Sequence, residues 1–582
     1  MAAAAATPEA AAAAAASAAA GPEVATLGAS STLIVNGDQV QLSGAVSGDA
    51  SCQGSRAVEL EWRPVDSSAW AIVGTGTTSG DGSYAFTDGQ QYTGAYRVSL
   101  PETASCRVVV SDPVGVRVRV FVDSTLLASS LTAGSCLELD VTVRPDKAGQ
   151  NVVIERRTAS GWQTVDTLTL DGSSFAETSP CFGWEDLGVV RLRARWPQQD
   201  DLNAPGTGIV LAFQISKAPW MKKIDQLVAG HAVSVSVGDD GSFLYQRADT
   251  SPRIPASNEK LLLSMALLDT LGPGHVIATR AAAASVEEGV VQGDLWVLGR
   301  GDPEITAAGM ASLAGRLVEA GVTRVHGSVM GSTGYFRHDW WAEGWKVGRT
   351  RLYVAPPTAL TFEGNATRRG FTRDPEVLAA RSLTNQLEKR GVAVRGTPGS
   401  GPPPDGLTGV AAIASRPLPA LLTLMNRLSD NFYAEVLGKL LGASAAGPPG
   451  TIAKGAGAIR AWVASRGVEF TLYDSSGLSY ANRVTAQGIL RLLWAAGEAS
   501  WGELLQQTLP AGGQGTLEDR LSGVRVRAKT GTLEDVSALS GWVWLEKEGA
   551  WAEFSILSAG MPKWQASRIE DRIVRLVASS AH

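Results

Sequence analysis

Residues 261–268 read Leu-Leu-Leu-Ser-Met-Ala-Leu-Leu, so a helix built from them is apolar on nearly every side. Such a helix has no face to offer water and must lie in the middle of a core, with other elements packed all round it. Its approach is Pro255-Ala256-Ser257-Asn258-Glu259-Lys260, which puts polar groups at the mouth of that core. Residues three apart share a helix face, so Ser257 and Lys260 can meet. The first N–H groups of a helix are free to bind an anion, and the dipole favours negative charge there. The combination supplies a nucleophile, an amine base and half of an oxyanion hole. Lys260 acts as a base only when neutral. Burial and a second ammonium nearby would both push its pKa down.

That second ammonium is expected from Lys529-Thr530-Gly531, which follows the alternating run Val524-Arg525-Val526-Arg527-Ala528. A period of two marks a half-buried strand. At its lip Lys529 offers charge and Thr530 a hydrogen bond to a substrate carboxylate, while Gly531 leaves room for a substrate backbone. Between these motifs, Leu428-Ser429-Asp430-Asn431 joins two helical stretches, 418–428 and 432–441. Ser429 and Asn431 suit proton relay and amide binding, although Ser429 or Asp430 capping the next helix is the simpler reading of that motif alone. Each motif is short and weak by itself. However, no other Lys has Ser three positions before it, and no other Asn has Ser two before it.

The N-terminal third has a different texture. The first twenty-odd residues are almost wholly Ala, with no Lys or Arg before Arg56, so the basic start of a secretory signal is missing and residues 1–26 are expected to be disordered. From about 27 to 216, short alternating stretches such as Ala57-Val58-Glu59-Leu60-Glu61-Trp62 and Val152-Val153-Ile154-Glu155-Arg156 are broken by Gly-Asp turns. Each half carries a strand, then Trp70 or Trp162, a Thr- and Gly-rich hairpin and a late Cys. These predict two β-sandwich modules, 27–113 and 114–215. The four cysteines, Cys52, Cys106, Cys136 and Cys181, all lie here and contain no Cys-x-x-Cys, which argues against zinc. They allow three connectivities. Cys52 with Cys106 and Cys136 with Cys181 is expected, because each pair then staples one module; four buried free thiols is the other reading. Disulfides would put the chain outside the cytosol, in an extracellular, cell-wall or periplasmic setting.

A net charge of −6 without a basic stripe makes nucleic acid an unexpected partner, and no apolar run is long enough to span a bilayer. The five His include no His-Glu-x-x-His, so neither a metal nor a cofactor is expected.

The order Ser-x-x-Lys, Ser-x-Asn, Lys-Thr-Gly resembles the penicillin-recognising serine acyl-transferases. Flanking residues narrow the likeness to the class C low-molecular-mass penicillin-binding proteins, the D-alanyl-D-alanine carboxypeptidase/endopeptidases. These are Pro255 to Leu261, Gly293-Asp294-Leu295, Gly299-Arg300-Gly301-Asp302-Pro303, Tyr353-Val354-Ala355-Pro356, Ser429 to Glu435 and Asp474-Ser475-Ser476-Gly477-Leu478-Ser479. The resemblance spans roughly residues 225–580. It implies an α/β penicillin-binding, serine β-lactamase-like transpeptidase domain over 216–275 and 356–582, following the two sandwiches. By the same resemblance Ser257 is the acylated nucleophile, Lys260 its base, and Ser429 with Asn431 the second wall. Lys529, Thr530 and Gly531 bind the terminal carboxylate, and the N–H groups of Ser257 and Thr532 form the oxyanion hole. Asp302 and Asp474 hold Gly-rich turns. Members of this family usually carry two inserted domains; the spacing here predicts one, over 276–355. The implied activity is trimming of peptidoglycan stem peptides, with β-lactams as covalent inhibitors. A β-lactamase or esterase on the same motifs, and a catalytically inactive wall-binding protein, are the competing readings.

Overall fold

The computed structural model describes residues 22–346, 353–368 and 370–580. The chain divides into two compact units, 1–182 with 186–216 and 183–185 with 217–582.

The first unit contains two antiparallel sandwiches of repeated topology. In the first, Leu33–Val35 runs parallel to Val114–Arg119, and the sheet continues antiparallel through Gly94–Leu100, Ala57–Pro64 and Ala71–Thr77. In the second, Ser130–Thr132 runs parallel to Leu211–Ser216, followed by Gly188–Trp196, Asn151–Thr158 and Gly161–Thr169. Even the bulge recurs, at Leu60/Glu61 and at Ile154/Glu155. Alternation of buried and exposed residues along the strands gives each sheet one core face; Leu42, Val58, Leu60, Val98 and Val118 meet in the first sandwich. Cys52 is bonded to Cys106 and Cys136 to Cys181, so each bridge stays within one sandwich.

Two expected boundaries move. Val24–Ala25, assigned above to a disordered segment, pairs with Val46 and Ser47, and Ala25 is buried; the rest of that expectation, residues 1–21, lies outside the described residues. Val114–Arg119, assigned to the second module, is an internal strand of the first, with Val116 and Val118 in its core. The boundary expected between 113 and 114 therefore falls just before the first module's last strand.

The second unit is built on a five-stranded antiparallel sheet in the order Ser242–Arg247, Ala232–Asp239, Ala550–Ala559, Val536–Leu545, Val526–Leu533. Val536–Leu545 is buried almost throughout, as a strand covered on both faces must be. The helix Glu259–Leu271 lies in the main core among Leu418–Leu428, Asn431–Ala446, Ile452–Ala464, Ala486–Glu498 and Gly502–Thr508. Residues 259–268 are all buried, as their composition demands.

The insertion is larger than expected. A second sheet orders Gly399–Gly401, Val329–Ser332, Leu295–Leu298, Ala278–Ala283 and Thr408–Ala414. Helices Ala307–Glu319 and Pro375–Glu388 share its core. Residues 375–414, assigned above to the catalytic part from 356 onward, therefore belong to the insertion: the helix packs on its core, and Gly399–Gly401 and Thr408–Ala414 are strands of its sheet. The error has a physical source: a helix followed by short strands looks the same in sequence whether it ends one sheet or resumes another. Conversely Tyr335 and Phe336, inside the expected insertion, pack on the main core, and Phe336 bridges to Gly450. Among the described residues no helix is long and apolar enough to cross a membrane.

Candidate active site

Ser257 does not open the α-helix itself. It sits in a 3-10 turn, Ala256–Asn258, that runs directly into Glu259–Leu271. Ala256 has a φ of 45°, so the chain reverses sharply just before the serine. The turn still brings Lys260 Nζ to 3.0 Å from Ser257 Oγ. The same ammonium donates to Asn431 Oδ1 at 2.7 Å and to the Ser476 carbonyl at 2.6 Å. Three acceptors fix the amine on a wholly buried side chain while Ser257 stays partly accessible.

Ser429 caps Leu418–Leu428 with a left-handed φ of 56°, and Asp430 caps the following helix by accepting from Tyr433 N–H at 2.9 Å. Capping and catalytic placement are therefore divided between neighbours. Asp430 holds the helix, which leaves Ser429 Oγ to accept from Lys529 Nζ at 2.9 Å. Asn431 Nδ2 donates to the Tyr353 carbonyl at 3.3 Å, fixing the amide with its oxygen toward Lys260.

Lys529, Thr530 and Gly531 lie on the edge strand Val526–Leu533, next to the turn that carries Ser257. A Cβ on Gly531 would stand 2.7 Å from the Pro255 carbonyl and 3.1 Å from Ala256 Cβ, so only glycine lets strand and turn touch here. Trp544 N–H donates to the Arg525 carbonyl inside the sheet, whereas Ala528 N–H donates outward to Pro510. With a period of two, the N–H groups of Thr530 and Thr532 face the same open side as that of Ala528. Thr530 Oγ1 is joined to Thr516 Oγ1 at 2.7 Å.

Ser257, Ser429, Asn431, Thr530 and Thr532 line one groove of about 490 Å³, with the wholly buried Lys260 and Lys529 behind them. Sequence reasoning missed several of its members, among them Thr516, Tyr480 and Arg520. Thr516 follows Gly512-Gly513-Gln514-Gly515, whose glycines signal a turn but not a place in the groove.

Electrostatics depart from expectation in one respect. Burial pushes Lys260 down to about 8, while Asp474, Glu435, Asp430 and Glu259 pull the other way. Lys529 is pushed well below the usual lysine range, by burial first and then by the charge of Lys260. The charge of Lys260 thus lowers Lys529, the reverse of the expected direction, while carboxyls hold Lys260 up. Three buried carboxyls behind Lys260 account for this. Glu259 and Glu435 are raised by burial and by the charge of Asp474, and Asn482 Nδ2 donates to both Glu259 and Asp474. Asp474 accepts the N–H groups of Gly477, Leu478 and Ser479 and the indole N–H of Trp345 at 2.6–3.2 Å. It thereby shapes the turn that aims the Ser476 carbonyl at Lys260. Asp302 accepts Glu304 N–H at 2.9 Å in a similar turn of the inserted region.

The fold is that of a penicillin-binding protein. The chain superposes over 62% of its length on 99% of penicillin-binding protein 4 from Haemophilus influenzae, with a TM-score of 0.54 at 20% identity. Sequence narrows the class further. Residues 219–373 and 367–580 match the D-Ala-D-Ala carboxypeptidase 3 (S13) family, and the chain belongs to it. A D-alanyl-D-alanine carboxypeptidase of Actinomadura sp. (strain R39) is 30% identical over 452 residues, covering 62% of this chain and 83% of that relative. A carboxypeptidase of Mycobacterium tuberculosis is 31% identical over 352 residues, covering 55% of this chain and 74% of its own length. The protein is a serine-type carboxypeptidase of the peptidoglycan-acting class.

Proposed function

We propose that the protein is a secreted D-alanyl-D-alanine carboxypeptidase that trims peptidoglycan stem peptides through an acyl-enzyme on Ser257, with endopeptidase cleavage as a second use of the same site. The observation that carries this reading is the convergence of Lys260 Nζ on Ser257 Oγ at 3.0 Å and on Asn431 Oδ1 at 2.7 Å.

The peptide lies along the edge strand, its terminal carboxylate against Lys529 and Thr530, while Gly531 keeps that strand against the Pro255–Ala256 turn rather than leaving room for the substrate backbone. Lys529 is depressed while the groove holds no carboxylate. A substrate carboxylate stabilises its ammonium, and that new charge pushes Lys260 toward the neutral form. Neutral Lys260 takes the Ser257 proton as Oγ attacks the penultimate D-alanyl carbonyl, and the oxyanion is held by the N–H groups of Ser257 and Thr532. As the C–N bond breaks, the proton on Lys260 passes through Ser429 to the departing D-alanine nitrogen, leaving Lys260 neutral again. Water then attacks the ester, giving up a proton to Lys260, which returns it to Ser257 Oγ as the ester bond breaks and the shortened peptide leaves. A β-lactam acylates Ser257 in the same way but keeps its leaving group tethered.

Two intramolecular disulfides support an extracellular or periplasmic site of action. The two sandwiches contain none of the proposed catalytic residues, and we assign them a spacing or wall-adhesion role.

The test is labelled penicillin with the full chain and with Ser257→Ala, followed by D-alanine release from a pentapeptide. Stable label on the first protein only, with D-alanine release, is expected. Rapid turnover of the label would make the protein a β-lactamase. No label on either would leave a wall-binding protein.

A further inference from the structure

A second cleft, of about 480 Å³, lies beside the catalytic groove and takes no part in the chemistry above. Trp340, Trp341, Trp345 and Phe371 line it, with Arg373 at its rim and Val354 to Pro357 as its far wall. Both walls continue into the catalytic groove. Trp345 precedes Lys346, and Tyr353 precedes Val354; Lys346 and Tyr353 line the groove. Consecutive Cα atoms are about 3.8 Å apart, so the two hollows are neighbours at both places.

The cleft is a built feature. Lys439 is fully buried beneath it and donates to the carbonyls of Arg337, Asp339 and Pro357 at 2.9, 3.1 and 3.0 Å. It also pairs with the Asp339 carboxylate at 2.6 Å. One ammonium thus ties the tryptophan segment to the proline wall and sets the distance between them. Yet Trp341 and Phe371 remain 44% exposed. Large rings gathered in one cleft and left open to water mark a binding surface.

We propose that this cleft binds the glycan to which a stem peptide is attached, as a saccharide subsite of the same enzyme. The inference rests on the carboxypeptidase reading for its substrate. A peptide seated in the groove carries its sugar at the end remote from the scissile bond, so the sugar falls beside the groove. Aromatic faces with few polar groups suit pyranose rings, whose C–H faces are apolar and whose rims carry hydroxyl and acetamido groups. Arg373 donates to those rim groups. The cleft raises affinity for glycan-bearing substrate and leaves the reacting atoms untouched.

The experiment compares a free pentapeptide with the same pentapeptide on an N-acetylglucosaminyl-N-acetylmuramyl disaccharide, using the full chain and Trp341→Ala. The disaccharide substrate is expected to have the lower KM. Trp341→Ala is expected to raise that KM about fivefold, within the range of one lost aromatic contact, with kcat, free-pentapeptide kinetics and penicillin labelling unchanged. Equal KM values for the two substrates, or an equal loss on both in the variant, overturn the proposal. If neither substrate is cleaved, the carboxypeptidase reading fails on its own. The peptide-free disaccharide is then titrated against tryptophan fluorescence. Saturation that Trp341→Ala abolishes upholds the saccharide site, and no saturation, or saturation only by an apolar probe, removes it.

Discussion

Lys529 Nζ lies 2.9 Å from Ser429 Oγ, so the strand-end lysine is tied to the helix connection a hundred residues earlier in the chain. That bond ties the edge strand to the segment that carries Asn431, the partner of Lys260. It also gives Lys529 two separable duties, holding Ser429 and receiving a carboxylate. Lys529→Ala should lower kcat/KM for D-alanyl peptides about 10- to 150-fold, the range for losing a hydrogen bond to a charged group. Peptides whose terminal carboxylate is amidated should lose much less. Equal losses on the acid and the amide would show that Lys529 acts only through Ser429.

Lys260 makes acylation pH-dependent. Its pKa is pushed down to about 8 by burial. The base must be neutral, so penicillin acylation by the free protein should rise with pH, with its midpoint near that value, and fall away below it. The sign for stability is the same. Between about 8 and the usual lysine value of 10.5 the unfolded chain binds the proton that the folded chain has lost, so this residue destabilises the fold fully below 8 and progressively less as pH rises through that window. Stopped-flow acylation across pH checks the first statement, and a flat profile would remove Lys260 as the base.

Residues near one another in sequence made much of this site legible. Ser257 and Lys260, Ser429 and Asn431, and Lys529 to Thr532 each occupy a short local element whose geometry follows from period and capping. The convergence of those elements was read through family resemblance, since nothing local brings residue 529 to residue 429. Thr516, and the meeting of Glu259 and Glu435 with the turn residue Asp474, stayed hidden for the same reason: they come together only through the fold. The insertion's true extent was obscured because Pro375–Glu388 has an ordinary apolar stripe that could face either core. Val114–Arg119 was misassigned because a Pro before a strand marks a turn but not a domain boundary.

The disulfides offer a test of how independent the N-terminal sandwiches are. Cys52 and Cys106 close a loop with a sequence separation of 54. Replacing both with Ser should destabilise the first unit by about 2–4 kcal/mol. Penicillin acylation should not change, because every proposed catalytic residue lies in the other unit. Calorimetry should show the transition that is insensitive to penicillin shift down, while the transition sensitive to bound penicillin stays in place. A shift of both transitions together would show that the two units unfold as one.

Gly477 is the tightest constraint on the nucleophile. Its φ is +81°, and a Cβ there would lie 1.9 Å from the Ala256 carbonyl, immediately before Ser257. Gly477→Ala must therefore move either the Asp474 turn or the serine turn. Moving the first withdraws the Ser476 carbonyl from Lys260, and moving the second displaces Ser257 itself. A misplacement of about 1 Å at a reacting atom can cost on the order of a hundredfold in rate. The penicillin acylation rate of Gly477→Ala should fall by at least that factor. Circular dichroism should remain native, because the strain is confined to two adjoining turns. Gly467, whose φ is +70° and whose added Cβ would meet nothing within 4 Å, is the control. Gly467→Ala shares the backbone strain and should keep acylation near the parent rate. If both variants lose activity alike, backbone strain rather than the approach to Ala256 is the cause.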